Sequence, residues 1–386
     1  MPIRWNAIYD DKSVQTQVAK EIEKGYWLES KLDPFIGTGK NRILRVYPRK
    51  GIEPFRPRIK DKLRGDGIKG NTNFDANQDN MEIFSYTIQP EVVGNSLESD
   101  IIHYDDLRNI DFAKEAVESL QDWMKDYVSA SVFANIVNNF TNVVAAKATD
   151  GYQDTTAKSV KELCGKITKD DKLSVKTIQR AISMARRGYK YDGTTTFPIR
   201  PFGFEAETKQ GIKYFRSTYI LFVSGEQAEQ LKQDKEWQEM QKQAGARGED
   251  NNIFTGCIGS IEGCVVIDMG SWTDYEVGLP SSGFNQAKFE SHIEIGREAG
   301  KLADYGGKSS VETSIGVLLG ASALCIGMNE TPTLYIDKSH DMGRKIRVGI
   351  DKILGISKAV YEPHERASVS PYKGQDYGVI GIISAK

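Results

Sequence analysis

Two short stretches hold residue types that could cradle a phosphate, Gly307-Lys308-Ser309 and Gly37-Thr38-Gly39-Lys40. A phosphate loop would use backbone amides, the lysine and a hydroxyl to hold a polyphosphate and its metal. The full pattern needs a Gly five residues before Gly307, where Leu302 stands, and no apolar strand feeds that loop. The second stretch fails in the same way, with Pro34 where a Gly is required. No GxGxxG follows a strand and no GxSxG elbow occurs, so neither dinucleotide binding nor elbow-type hydrolysis is indicated. Cys164, Cys257, Cys264 and Cys325 form no CxxC pair, and His103, His292, His340 and His364 lie far apart. A zinc site needs closely organised ligands, so none is expected. Asp105-Asp106 reads as a helix start, where the dipole favours carboxylates, rather than as an acid–base pair. Arg64-Gly65-Asp66 reads as a Gly-rich turn rather than an adhesion motif. With no apolar leader in MPIRWNAIYDDKS, the sequons at Asn139 and Asn329 read as chance. No catalytic residue, cofactor or metal ligand is expected, and the chain does not read as an enzyme.

Composition points the same way. The 386 residues are 39% hydrophobic and 10% aromatic, enough for a substantial core in two or three compact parts. Lys plus Arg is 51 against 53 acids, a net charge of −2, so no basic coat covers the whole chain. Four thiols without a pairing pattern suit a reducing compartment. The most apolar run, residues 315–328, is too short and Gly-rich to span a bilayer.

The neutral total hides two opposite blocks. Residues 40–69 hold eleven basic residues (Lys40, Arg42, Arg45, Arg49, Lys50, Arg56, Arg58, Lys60, Lys62, Arg64, Lys69) against three acids, a net +8. Residues 71–126 hold thirteen acids against Arg108, Lys114 and Lys125, a net −10. Either the blocks fold back on each other or stay separately solvated, or the basic loop reaches the acidic region of another copy. Opposite faces on two elements of one chain give orientation in assembly, and a repeated heterologous contact closes into rings. The residues expected at such a contact are Arg56, Arg58, Lys60, Lys62, Arg64, Asp66 and Lys69 on one side. On the other side they are Asp111, Glu115, Glu118 and Asp122.

These residues must be positioned by a few elements. A helix is expected over residues 12–27, within an arm covering 1–47. Strands over 43–47 and 81–88 flank a Gly- and Asn-rich loop, which reads as a projecting, mobile hairpin. Residues 95–150 contain no Gly or Pro, so one long helix is expected, capped at Asn109 or Asp111. Phe112, Ala116, Leu120, Trp123, Tyr127, Ala130, Ala134 and Val137 would form its apolar stripe. Further helices are expected from Ser174 to Gly188, from a Ser224/Gln227 capping box to about residue 246, and over 311–328, where Gly316 and Gly320 allow close approach. Strands are expected over 214–223, 264–268, 344–350, 353–361 and 377–384. Helices and strands mix without a βαβ rhythm, which favours an α+β fold.

Leu63-Arg-Gly-Asp-Gly-Ile-Lys-Gly70, the helix bearing Trp123, and Tyr219-Ile-Leu-Phe-Val-Ser-Gly-Glu-Gln-Ala228 recur in one known family. So do Leu231, Asp234, Trp237, Gln241 and Ala244, then Gly248-Glu-Asp-Asn-Asn-Ile-Phe-Thr-Gly256, Gly259 and Gly263. Leu318-Leu-Gly-Ala-Ser-Ala323, Met342-Gly-Arg-Lys345, Gly355-Ile-Ser-Lys-Ala-Val-Tyr361 and Asp376-Tyr-Gly-Val379 follow. In order and spacing, over about residues 40–385, the chain resembles the major capsid proteins of tailed phages with the HK97 fold, in the N4-like branch. The resemblance implies an N-terminal arm (1–47), an extended E-loop (48–80) and a peripheral domain (81–215) on a spine helix at about 107–140. It further implies an axial domain (216–330) and C-terminal strands (331–386) returning to the peripheral domain. It implies hexamers and pentamers closing into an icosahedral virion shell around double-stranded DNA, assembled in the host cytoplasm with portal, scaffold and decoration partners. A cellular nanocompartment (encapsulin-like) shell shares this fold and is the alternative. Some members crosslink neighbours through Lys and Asn; no motif here supports that.

Overall fold

The computed structural model describes residues 12–29, 32–60, 69–70, 83–85, 87–99, 112–137, 140–153, 156–207, 213–245, 257–270, 311, 313–329, 331–337, 339–361 and 374–386. Helix α1 (Lys12–Glu29) opens the chain, followed by β1 (Ile36–Gly37), β2 (Leu44–Pro48), β3 (Arg58–Lys60), β4 (Ile83–Ser85) and β5 (Glu91–Glu98). Helix α2 (Phe112–Val137), β6 (Val143–Ala145), α3 (Val160–Cys164), α4 (Val175–Arg187), β7 (Phe202–Glu207) and β8 (Lys213–Val223) come next. Then follow α5 (Gly225–Gln233), α6 (Lys235–Gly245), β9 (Cys257–Ile261), β10 (Cys264–Asp268), β11 (Thr313–Leu319) and β12 (Leu324–Met328). The chain ends with β13 (Thr333–Asp337), β14 (Arg347–Lys358) and β15 (Val379–Ala385).

Helix α4 forms where its punctuation predicts. Ser174 Oγ accepts from the Thr177 amide at 3.4 Å, and Gly188 ends the helix at φ 71° while donating to Met184 O. Only Gly fits there, because a Cβ would also lie 2.5 Å from Thr196 O. Ser224 Oγ accepts from the Gln227 amide at 3.3 Å, but the Gln227 side chain does not complete a box. Its Nε2 instead donates to Ser314 O (3.1 Å), Ile382 O (3.3 Å) and Ser384 Oγ (3.1 Å), tying α5 to β11 and β15. The helix expected to run on to about 246 breaks at Asp234. That carboxylate accepts from the Glu236 amide (3.1 Å) to start α6 and from the Val175 amide (2.8 Å) at the start of α4.

Two expectations are corrected. Residues 311–328 are not a helix but the strands β11 and β12. The two strands expected over 344–361 are one twelve-residue strand, β14.

One sheet runs β1-β2-β12-β14-β13, with β5 along the opposite edge of β14. The second runs β6-β15-β11-β8-β10-β9, with β7 on β8. The chain crosses from one sheet to the other between β11 and β12, at Gly320 to Ala323. That crossing is pinned by Gly320 N to Gly378 O (2.9 Å), Ala321 N to Arg200 O (2.7 Å) and Ser322 N to Arg42 O (2.6 Å). Helices α1 and α2 pack against each other and on the first sheet, and α4 and α5 pack on the second. The buried stripe of α2 is Ala116, Leu120, Met124, Tyr127, Val128, Val132, Phe133, Ile136 and Val137. It is turned slightly from the expected one, since Phe112 and Trp123 are only partly buried.

Buried ion pairs fasten the parts. Lys352 of β14 meets Glu23 of α1 at 2.5 Å, and Lys358 meets Asp376 at 2.8 Å. Asp376 also accepts from the Thr141 amide at 3.0 Å, which holds the exit of α2. Such pairs are costly to break one-sidedly, because an uncompensated charge is left inside.

Burial also sets an alkaline limit. It pushes the Cys164 thiol up to about 12 from 9.0. Burial likewise pushes the Tyr127 phenol up to about 12 from 10.0, with Ser131 pulling the other way. Burial raises Tyr47 as well. These groups stay protonated in the fold while the unfolded chain begins to ionise above about pH 9. Their contribution is therefore intact below about pH 9 and lost as pH rises toward 12. Burial depresses Lys352 despite its bond to Glu23, and this opposes the three. The urea midpoint of unassembled subunits should fall steadily between pH 9 and 11; a flat profile would contradict this burial.

Candidate assembly surfaces

The basic hairpin is rooted in a small aromatic cluster. Phe55 and Ile88 exchange backbone hydrogen bonds of 2.9 and 2.8 Å and are buried with Cys325, Ala359 and Tyr361. Beyond them β3 pairs antiparallel with β4, from Arg58 opposite Ser85 to Lys60 opposite Ile83. The Phe55 ring lies on Gly327 of β12, where an added Cβ would come within 2.4 Å of it. The Arg49 guanidinium stacks on Phe55 at 3.7 Å and Arg45 on Tyr47 at 4.8 Å, while the Tyr47 and Phe55 rings stand 5.7 Å apart. Arg42 donates to Pro34 O at 3.0 Å and lies over Phe202 at 5.8 Å. Three of the eleven cations in the basic block thus brace the root against their own chain. Arg56, beyond the root, is exposed and donates to the neutral Thr87 hydroxyl at 3.0 Å, so its charge is not neutralised by that bond. Lys69 is exposed as well.

On the acidic side, Glu115, Glu118 and Asp122 are exposed on α2. Their spacing of three and four puts them on one stripe, opposite the buried Ala116, Leu120 and Met124. Glu98 belongs to the same acidic block but serves its own chain. It meets His340 at 3.0 Å, Lys345 at 3.4 Å and Arg347 at 3.4 Å. Desolvation raises this carboxyl, but Lys345, Arg347 and His340 together hold it below its ordinary 4.5.

Of the residues expected at a contact, Arg56 and Lys69 lie on the hairpin side and Glu115, Glu118 and Asp122 on α2, all exposed. Arg58 and Lys60 lie in β3. Lys62, Arg64, Asp66 and Asp111 fall outside the described residues, as does Gly307-Lys308-Ser309. Among the described residues, Arg56 forms no ion pair with Glu115 or Asp122. What the sequence reading missed is the root itself. Tyr47, Phe55 and Gly327 are drawn from distant segments, and only the aromatic–cation alternation Arg45-x-Tyr47-x-Arg49 signalled it. No group of three or more His, Cys, Asp or Glu that could hold a metal occurs among the described residues. No helix among them is long and apolar enough to cross a membrane.

The sequence and the fold have counterparts elsewhere. The profile of a family described as phage capsid protein matches residues 28–386. The chain is 35% identical over 396 residues to the major structural protein ORF14 of Helicobacter pylori bacteriophage KHP30, covering 99% of this chain and 97% of that protein. Its fold matches the acid-stable capsid structure of the same phage with a TM-score of 0.70 and 36% identity, over 93% of this chain and 92% of the other. It matches the head of Helicobacter pylori bacteriophage KHP40 with a TM-score of 0.72 and 35% identity, over 93% and 91%. The capsid of Ralstonia phage GP4 shares the fold at 18% identity, with a TM-score of 0.60 over 91% and 90%.

Proposed function

Since the chain belongs to the phage capsid protein family, we propose that it works by closing on copies of itself, as hexamers and pentamers, into an icosahedral shell around double-stranded DNA. A phage capsid protein is a structural subunit, and its output is interface free energy rather than turnover. The observation that carries this reading is a cationic hairpin braced at its root by Phe55 and Ile88, on a chain that matches the phage capsid protein family over residues 28–386. Each contact of standard size buries about 800 Å² per partner, and ordering costs leave it individually weak. Many weak closures permit correction during growth and still give a durable closed shell.

In this reading the hairpin is the E-loop of an HK97-type subunit and α2 is its spine. Residues 81–215 form the peripheral part, residues 216–330 the axial part, and the C-terminal strands over 331–386 return to the peripheral part. The hairpin of one copy lies on the acidic α2 face of the next, with Arg56, Arg58, Lys60, Lys62, Arg64 and Lys69 facing Asp111, Glu115, Glu118 and Asp122. Assembly takes place in the host cytoplasm, with portal, scaffold and decoration proteins as further partners. The nanocompartment alternative is not favoured, because the relative at 35% identity is a phage structural protein. Electron microscopy of the purified, expressed chain tests the proposal: closed shells of uniform diameter are expected. A protein that stays monomeric at high concentration and in infected cells would overturn it.

A further inference from the structure

A second basic region lies outside the hairpin. Residues 158–190 hold ten Lys and Arg against three acids, a net +7. Two features of the fold concentrate that charge on one surface. Asp171, one of the three acids, is buried and consumed by the Ala148 amide (2.8 Å), the Thr168 amide (2.7 Å) and hydroxyl (2.9 Å), and Gln153 Nε2 (3.1 Å). Helix α4, meanwhile, buries Val175, Ile178, Ile182 and Ala185 and turns Lys176, Arg180 and Arg187 outward. Those three stand at i, i+4 and i+11, within about 40° on the helix and along about 16 Å of its length. Lys169 and Lys172, both exposed, precede it.

Most of the charge is left uncompensated. Among the described residues, Lys169, Lys172, Arg180 and Arg187 have no carboxylate within 4.0 Å, whereas Lys176 pairs with Glu236 at 3.9 Å and interacts electrostatically with Asp150. Glu262 borders the patch, but its contacts there are Gln179 Nε2 and, through its backbone carbonyl, Arg186. Arg180 is pre-positioned. Its guanidinium lies 4.6 Å from the Tyr152 ring and 4.9 Å from the Tyr189 ring, and it donates to Tyr189 Oη at 3.0 Å.

We infer that the α4 face, with Lys169, Lys172, Lys176, Arg180 and Arg187, is a phosphate-contacting surface for duplex nucleic acid, bound without regard to base sequence. A subunit contact is the competing use of such charge. Protein interfaces, however, are anchored by exposed apolar or aromatic side chains and are poor in Lys. Among the described residues the large exposed apolar side chains are Ile52, Val92, Met240, Tyr335 and Met342, and none lies in residues 158–190. A Lys- and Arg-rich face on a rigid helix is the electrostatic footprint of a polyphosphate partner. The identity of that duplex as the enclosed genome rests on the shell reading; the phosphate chemistry does not.

The test is binding of the unassembled full chain to an arbitrary duplex of about 20 base pairs, followed by fluorescence anisotropy across salt. Five phosphate contacts at ~0.9 each predict a log–log salt slope near −4.5 and about a five-hundredfold loss of affinity between 50 and 200 mM salt. Lys169→Gln, Lys172→Gln, Lys176→Gln and Arg187→Gln together should weaken binding at least tenfold and flatten the slope, with an unchanged circular dichroism spectrum. The control Arg56→Gln with Lys69→Gln should leave binding within twofold. Wild-type chain that ignores the duplex, binding lost only in the hairpin control, or a patch variant that binds normally yet no longer forms shells would each overturn the inference. Failure of the wild type to form shells would count against the proposed function instead.

Discussion

Arg58→Glu, Lys60→Glu, Lys62→Glu and Arg64→Glu combined should abolish shell formation and leave the subunit folded. Four reversals remove eight unit charges, which takes the basic block from +8 to zero. The choice of positions follows from the root. Arg42, Arg45 and Arg49 stack on Phe202, Tyr47 and Phe55, so reversing them would damage the body. The four chosen residues fall in sequence between Phe55 and Ile88, the pair that closes the root. A single exposed ion pair contributes about 0–1 kcal/mol, so one reversal would be tolerated. Four reversals facing an unchanged acidic stripe turn attraction into repulsion, and the change is repeated at every contact of a closed shell. Added salt should weaken assembly of the wild type, because exposed charges are screened over about 8–10 Å near physiological ionic strength. Sedimentation and negative-stain microscopy give the readout. Normal shells from the folded variant would sink electrostatic docking of the hairpin.

The elements were legible where local chemistry punctuates them. Ser174 and Gly188 bracket α4 as read, and the strand over 264–268 and the entry to α5 at Ser224 fall where expected. The failures share one cause. β11 and β12 are buried on both faces, so no polar alternation survives in residues 313–328 to betray a strand. The glycines taken there for helix contacts serve other close approaches, Gly316 to the Gln227 side chain and Gly320 to Arg200 O. The gap left at Asp351-Lys352 between the two expected strands is closed because β5 pairs with β14 without a break from Arg347 to Leu354. The charge blocks were legible as sums only. Glu98 finds its cations some 240 to 250 residues away in sequence, so block arithmetic could not show which charges are committed within the chain.

Trp237→Ala should destabilise the isolated subunit by about 3–5 kcal/mol, the usual cost of deleting a buried large aromatic side chain. Trp237 is 3% exposed, in the cluster that contains Ile261, Val266, Leu231 and Ile178. The indole has no slack on its far side. A Cβ built on Gly259 of β9 would lie 2.8 and 3.0 Å from its Cζ2 and Cη2 atoms, so strand and ring are already in contact. Truncation therefore leaves a cavity between α6 and β9 that backbone movement cannot readily fill, because β9 is fixed by its pairing with β10. Gly259→Ala overfills the same contact, meeting the Gln241 side-chain amide as well as the indole, and should cost about 1–3 kcal/mol. The two substitutions share one contact, so the double variant should be less destabilised than the sum of the singles, since the added methyl enters the vacated space. Urea unfolding of unassembled subunits measures all three. An unchanged midpoint for Trp237→Ala would mean that the indole does not carry this core, and strict additivity would mean that it does not meet Gly259.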